Sequence, residues 1–413
     1  MESYPVVIIG AGVAGLTCAH YLHKKQIPFI LIESSADVGG RIWTDKIDGF
    51  LLDKGFQVFL TSYPEAKHIL NYDSLDLKAF RSGAIIRQNK RFVKLVNPLK
   101  EPFLAFSALF SPVGSLPDKF RILQLTQELK DLQEDEIFAQ KATSTLDFLK
   151  SYGWSEKMID SFFKPFFGGV FLERELNTSS NFFRFVFKQF AASDAVLPAG
   201  GIQEIPRQLA ASLPANSIRT NTPVKHINGS TVELISGEQI QARNLVVAVD
   251  ELASAGLLGN KIQPVFNATS CIYFSANRSP LDTDMLVINS EEQGLINNLC
   301  VPSDIAPAYA PSGKALISVS IVKKHSFTEA QLVEKVKEEL VAWYGNEVLS
   351  WQHLKTYSLP QALPAFPASE PAKKNLKWND TTFICGDYMA YPSLNGAMAT
   401  GRQVAESIAA SGR

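Results

Sequence analysis

Six residues near the start, Gly10-Ala-Gly12-Val13-Ala14-Gly15, have the spacing that a bound dinucleotide demands of a protein backbone. Gly10 permits a tight turn, Gly12 lets the main chain approach a pyrophosphate, and Gly15 allows a helix to pack closely on a strand. Val13 and Ala14 open that helix, so their amides face the phosphates at the positive end of its dipole. Glu33 closes the next apolar stretch, where a carboxylate can hydrogen-bond a ribose hydroxyl. A glycine turn with a chance acidic residue is the competing interpretation. The strand before it and the helix after it argue for the dinucleotide.

NAD and FAD both satisfy this unit, and the next signal separates them. In Asp37-Val-Gly39-Gly40-Arg41, paired glycines expose backbone N–H groups and Arg41 adds a cation, making a second anion-binding patch beside the first. A plain surface turn is the alternative there.

With these motifs the chain resembles the flavin amine oxidase superfamily, which includes monoamine oxidases, protoporphyrinogen oxidase and the phytoene desaturases. Further segments carry the resemblance in the family's order: Asp53-Lys-Gly55-Phe56-Gln57, Gly386-Asp387, and Ser393-Leu394-Asn395-Gly396-Ala397-Met398 leading to Gly401-Arg402. The resemblance implies FAD, with Gly55, Phe56 and Gln57 near the flavin and Asp387 at the ribityl or diphosphate region. It also puts the Leu394 amide at the pyrimidine edge, with Ser393, Asn395 and Ala397 in the same turn, and Val224 against adenine. Phe163-Lys-Pro-Phe-Phe-Gly-Gly-Val-Phe171 and Leu197-Pro-Ala-Gly-Gly-Ile202 look most similar to the phytoene-dehydrogenase-like branch. Plain core packing explains the phenylalanines equally well.

The departures bear on the reaction. Ser270 falls where amine oxidases set a lysine beside flavin N5, and Ser393 where they set a caging tyrosine. Tyr388 and Tyr391 stand near enough in sequence to supply another ring. The resemblance therefore implies hydride transfer from a largely apolar substrate to N5, as C–C dehydrogenation first and amine oxidation second. A non-redox isomerase, or a flavin-binding protein without turnover, stays open. No catalytic residue is singled out, because the flavin carries the chemistry.

The elements that must hold these residues follow from the hydrophobic pattern. Residues 5–33 read as a βαβ unit, and Leu245–Val249 and Thr382–Cys385 read as buried parallel strands far downstream. The fold class is α/β: a discontinuous Rossmann-type FAD-binding domain (1–65, 195–255 and 372–413) with an inserted α+β substrate-binding domain (66–194 and 256–371). The first insertion reads as mainly helical. The second reads as strands plus one helix, capped by Thr328 and Gln331 and running through Leu332, Val336, Leu340 and Trp343.

Composition removes other classes. Forty basic residues nearly cancel forty-one acidic ones, so no global field recruits nucleic acid. The six histidines lack metal spacing, no GxSxG elbow or P-loop occurs, and no metal is expected. Cys18, Cys271, Cys300 and Cys385 form no CxxC pair, which fits a reducing cytoplasm. No run of roughly 18 apolar residues predicts a transmembrane helix. Phe103, Phe106, Leu109 and Phe110, at helical spacing in the segment 103–123, suit either a peripheral membrane contact or a face packed inside the substrate domain, the commoner fate of such periodicity.

Overall fold

The computed structural model describes residues 2–96 and 113–411. The chain opens with β1 (Glu2–Ile9), α1 (Val13–Lys24) and β2 (Phe29–Ile32), then the hairpin β3 (Thr44–Ile47) and β4 (Phe50–Asp53). After a short helix (Pro64–Ile69) and a short strand (Leu77–Ala79), the first insertion forms a second hairpin, β5 (Gly83–Gln88) and β6 (Arg91–Val96). It continues through helices that include α2 (Leu116–Lys130), α3 (Lys164–Phe171) and α4 (Ser180–Ala192). After β7 (Gln239–Val247) come β8 (Phe266–Ala276), β9 (Leu286–Asn289), β10 (Asn298–Cys300), β11 (Ala315–Ile321), α5 (Glu329–Tyr344) and β12 (Gln352–Pro364). Strand β13 (Thr382–Ile384) and helix α6 (Leu394–Ser411) follow.

The nucleotide sheet is built from remote pieces. β1 lies between β2 and β7, with Val6 opposite Phe29 and Val7 opposite Leu245, and β13 pairs with β7 through Leu245 and Thr382, all parallel. Such strands are covered on both faces, and Val6, Val7, Ile8, Leu245, Val246 and Val247 are fully or almost fully buried. Helix α6 packs against α1. A Cβ on Gly401 would stand 2.3 Å from the Ala14 carbonyl oxygen, so only glycine admits this approach.

The second sheet runs β12-β8-β11-β10-β9-β5-β6. One face meets α5, whose Leu332, Val336 and Leu340 pack on Ile272, Phe274 and Val319. The capping box is present: Thr328 accepts from the Gln331 amide, and Gln331 Oε1 accepts from the Thr328 amide at 3.0 Å. Cys271, Tyr273, Cys300 and Leu316 point the other way, onto Phe50, Leu52 and Tyr309.

The first insertion departs from the helical expectation at its start. Residues 83–96 form the hairpin β5–β6, turned at Asn89-Lys90 with both φ positive, and β5 joins β9 of the second insertion in parallel. The two insertions thus share one sheet. A three-stranded sheet of Phe59–Leu60, Leu77–Ala79 and Ala195–Pro198 lies across the expected boundary between the domains. Phe163, Phe167 and Phe171, four residues apart on one helical face, are core residues packed with Phe182 and Phe183. Phe103, Phe106, Leu109 and Phe110 lie outside the described residues.

Candidate functional site

The first glycine turn has the geometry its spacing predicts. Gly10 has φ +104°, and a Cβ there would sit 2.8 Å from the Ala248 carbonyl oxygen; a Cβ on Gly15 would lie 2.0 Å from the Gly10 oxygen. Gly12 differs. Its φ of −72° suits any residue, and no protein atom comes within 4 Å of where a Cβ would be. The space over Gly12 is therefore kept open by the absence of a side chain. Helix α1 begins there without a side-chain cap, which leaves the amides of Val13 and Ala14 with no intrahelical acceptor.

The second turn abuts the first. Gly39 bridges Gly12 in parallel, its amide donates to the Ala11 oxygen at 2.9 Å, and Gly40, with φ +61°, approaches the Gly12 Cα. Glu33 is buried beside them. Its Oε2 accepts from the Ala11 amide at 2.7 Å and its Oε1 from the Ser35 amide at 2.8 Å. The carboxylate therefore braces the glycine turn itself, leaving its remaining lone pairs for a ribose. Thr222 donates its amide to the Glu33 main-chain carbonyl, which brings Val224 alongside.

Arg41 reaches Asp387 at 2.5 Å and the Ala362 carbonyl at 3.3 Å. This pairing joins two expected cofactor elements and neutralises a nearly buried carboxylate that would otherwise repel a diphosphate. The Gln57 side-chain amide donates to the carbonyls of Arg41 and Lys54, tying Gly55-Phe56-Gln57 to the same turn. Gly55 has φ +91° and lies against Leu359; Phe56 meets Phe80 edge to face.

At the start of α6 the side chains are spent on structure. Ser393 Oγ accepts from the Gly396 amide at 3.0 Å, and its carbonyl accepts from the Ala397 amide. Asn395 is buried, takes the Glu65 amide on Oδ1 and gives Nδ2 to Tyr391 and Glu134. Only backbone groups at Leu394 and Asn395 remain for a ligand, as the expectation for Leu394 requires. Gly386 is held by Thr400 Oγ1.

Two expectations are corrected. Tyr391 stacks on Phe138 with ring centres 4.6 Å apart and is buried among aromatic residues, and Tyr388 packs with Ile384 and Met389, so neither is free to supply a cage ring. Ser270 lies on the α5 face of β8, with its hydroxyl 3.1 Å from His325 Nε2. Strand alternation gives the opposite face to Thr269 and Cys271. Whichever face a flavin meets, the residue there is not a lysine.

Sequence inspection missed one anchor, Gln203, and the bracing role of another, Asp53. Gln203 donates to the Val38 carbonyl at 2.9 Å and accepts from the Thr44 amide at 3.1 Å, holding both ends of the Gly39-Gly40 turn. Asp53, the acidic residue of the D-x-G segment, is buried and accepts from Thr44 Oγ1 at 2.7 Å, the Ile202 amide at 3.0 Å and Tyr309 OH at 2.8 Å. Burial pushes its carboxyl up to about 6 against those three bonds. Gln203 has no local signal, and although Asp53 stands in the D-x-G segment, its bonds to Ile202 and Tyr309 are remote in sequence.

Two abutting glycine turns, an open cradle, uncapped amides and a buried carboxylate beside them fit the diphosphate and adenosine parts of a flavin dinucleotide. Comparison with known proteins agrees. The family model for flavin containing amine oxidoreductases matches residues 13–409. Protoporphyrinogen oxidase 2 of Arabidopsis thaliana is 26% identical over 167 residues, covering 40% of this chain and 32% of that protein. Coproporphyrinogen III oxidase of Bacillus subtilis is 23% identical over 300 residues, covering 61% of each. The matches thus span about a third to three fifths of these relatives' own length. The solved structure of wild-type putrescine oxidase with putrescine bound superposes with a TM-score of 0.74 at 16% identity, over 99% of both chains, and shares the fold. The match from Val13 to Ile408 and just beyond makes the conclusion plain: the chain belongs to the flavin containing amine oxidoreductase family, with FAD as its cofactor.

Proposed function

We propose that the protein dehydrogenates a C–C bond of a largely apolar organic substrate, with FAD as hydride acceptor. FAD, when bound, supplies the two-electron chemistry, and the chain's own residues hold and surround it. Gly12, Val13 and Ala14 would cradle the diphosphate, Glu33 the ribose, and the amides at Leu394 and Asn395 the pyrimidine edge. Phe56, Phe80, Cys271 and Tyr273 form an apolar wall that excludes water beside the Gly55–Gln57 segment. One observation carries the choice over amine oxidation: Thr269, Ser270 and Cys271 bring no lysine to β8, and Ser393 is a helix cap in place of an aromatic ring. The relatives include porphyrinogen oxidases and a phytoene desaturase as well as amine oxidases, so the choice rests on these residues.

Anaerobic titration of the holoenzyme tests this. Apolar polyenes are expected to bleach the visible flavin absorbance and emerge two hydrogens poorer, while simple mono- and diamines leave it unchanged. Rapid bleaching by a simple amine at micromolar to millimolar concentration, the usual range of KM, puts amine oxidation first. A rearranged product with no net redox change identifies an isomerase instead.

A peripheral membrane contact belongs to the same proposal. Leu116, Phe120 and Leu123 recur along one side of α2 and are all exposed, an apolar stripe where an apolar substrate would leave a lipid phase. A cytoplasmic location is proposed with it, in keeping with four buried, free cysteines. Flotation with phosphatidylcholine vesicles is expected for the wild type and is expected to be lost in Phe120→Asp, with flavin content unchanged. Equal behaviour of the two proteins removes the membrane role.

A further inference from the structure

The substrate-domain sheet carries a row of side chains that the proposed function leaves unused. Residues paired across strands share a face, so Tyr357, Cys271, Ser320, Asn298, Ile288 and Ile86 form one line from β12 to β5. The first end abuts the flavin-binding elements. Cys271 shares an apolar cluster with Phe56, and Tyr273 on the same face donates to the Asp53 carbonyl at 2.8 Å. The far end is apolar, with Ile288 and Ile86 in the same core as Phe163 and Phe167.

Between these ends the row turns polar. Ser320 and Asn298 are 5% and 4% exposed, and the neighbouring Asn297 is 1% exposed. Asn297 Nδ2 donates to the Pro165 carbonyl and to Asn298 Oδ1, both at 3.1 Å. A carbonyl can only accept, so these bonds fix the orientation of both amides. Asn298 must turn its Nδ2 away. What remains is an acceptor, a donor and a hydroxyl without partners: Asn297 Oδ1, Asn298 Nδ2 and Ser320 Oγ. Buried polar atoms are rarely left unpaired, and three together ask for a ligand group. Helix α3 packs closely on the bonded side of the pair, where a Cβ on Gly169 would come 2.9 Å from Asn297 Nδ2 and 3.2 Å from Asn298 Oδ1, so the orphaned atoms are those that α3 does not reach. The side-chain partners of the two asparagines are neutral, so nothing among them balances an ion.

We propose that Asn297, Asn298 and Ser320 form the subsite for the polar end of the substrate, and that this end is an uncharged hydroxyl or carboxamide group. The inference rests on the apolar-substrate function above and names the part of the substrate that is not apolar. Asn298 Nδ2 donates to the ligand oxygen, Asn297 Oδ1 accepts its O–H or N–H, and Ser320 Oγ does either. Ser320 is one strand spacing, about 4.8 Å, from Cys271. A group anchored there leaves its next carbons on the Gly55–Phe56 side, where oxidation takes place.

Calorimetric titration of the holoenzyme with 1-decanol, decanamide, decylamine and decanoate tests the subsite. The two neutral probes are expected to bind roughly tenfold more tightly than the two charged ones, the scale of one neutral hydrogen bond. Ser320→Ala and Asn298→Leu are each expected to erase that preference while flavin content stays the same. Ser320→Ala removes one oxygen and nothing else, so it reports even if Asn298→Leu fails to fold. The ligand-free Ser320→Ala protein is expected to melt no lower than wild type, because it loses an unpaired atom. A lower melting temperature shows that a structural water pairs these atoms and overturns the subsite. Equal affinity for the four probes, or a preference that survives Ser320→Ala, overturns it too and leaves the oxidoreductase proposal standing. Binding of none of the probes overturns both.

Discussion

A valine in place of Gly12 is expected to give a folded, colourless protein. The backbone at Gly12 suits an L-residue and nothing stands within 4 Å of its Cβ position, so the chain loses no packing when a side chain is added. What is lost is the open space against which the two glycine turns and the first α1 amides converge. A side chain filling it forces the diphosphate away from its donors and should weaken FAD binding by at least roughly a hundredfold, about 3 kcal/mol. Gly15→Ala is the contrast. Its Cβ would lie 2.0 Å from the Gly10 oxygen, and α1 must move off β1 to relieve it, a loss of stability of about 1–3 kcal/mol or more. Flavin absorbance after gel filtration, read with circular dichroism melting, separates the two. A Gly12→Val protein that keeps its flavin would place the diphosphate elsewhere.

Asp53→Asn is expected to flatten part of the acid dependence of stability. The Asp53 carboxyl has its ordinary value near 3.8 in the unfolded chain and about 6 when folded. Because the folded value is the higher one, the folded state holds the extra proton between those values. The stability that Asp53 contributes is therefore fully present below about pH 4 and lost as the pH rises through 6. The difference is about 3 kcal/mol, or roughly 3 °C in melting temperature for a chain of this size. Asparagine keeps an oxygen for Thr44 and the Ile202 amide and turns its NH₂ toward the Tyr309 oxygen, with no proton to exchange. Stability of Asp53→Asn relative to wild type should accordingly rise across that window. A difference that stays constant from pH 4 to pH 7 would show that Asp53 titrates in the folded protein as it does in water.

The parts of this fold that were legible in the sequence are those whose cause is local. The glycine spacing fixes a turn, a helix start and a close approach within six residues, and Thr328 with Gln331 caps α5 through bonds spanning three residues. The hairpin β5–β6 was hidden because its decisive partner, β9, comes some two hundred residues later, and a short alternating stretch says little without it. Gln203 was hidden for the same reason: its bonds go to Val38 and Thr44. The turn that opens α6 stands out in the sequence as a segment. Which atoms it leaves available depends on Glu65, Glu134 and Tyr391, and only the folded chain shows that Asn395 has already spent its side chain on them.

The parallel sheet around β1 also sets a timetable for the ribosome. Its first two strands are synthesised within the opening thirty or so residues, but β7, β13 and the helix that seats Gly401 on Ala14 are synthesised much later. Until those segments arrive, β1 has one open edge and α1 one bare face, and no early fragment can close the cradle. Pairing over such separations is slow, because loop closure must be completed before contact is rewarded. The nascent chain must therefore keep an apolar strand edge from mispairing until β13 has been made, which is most of translation.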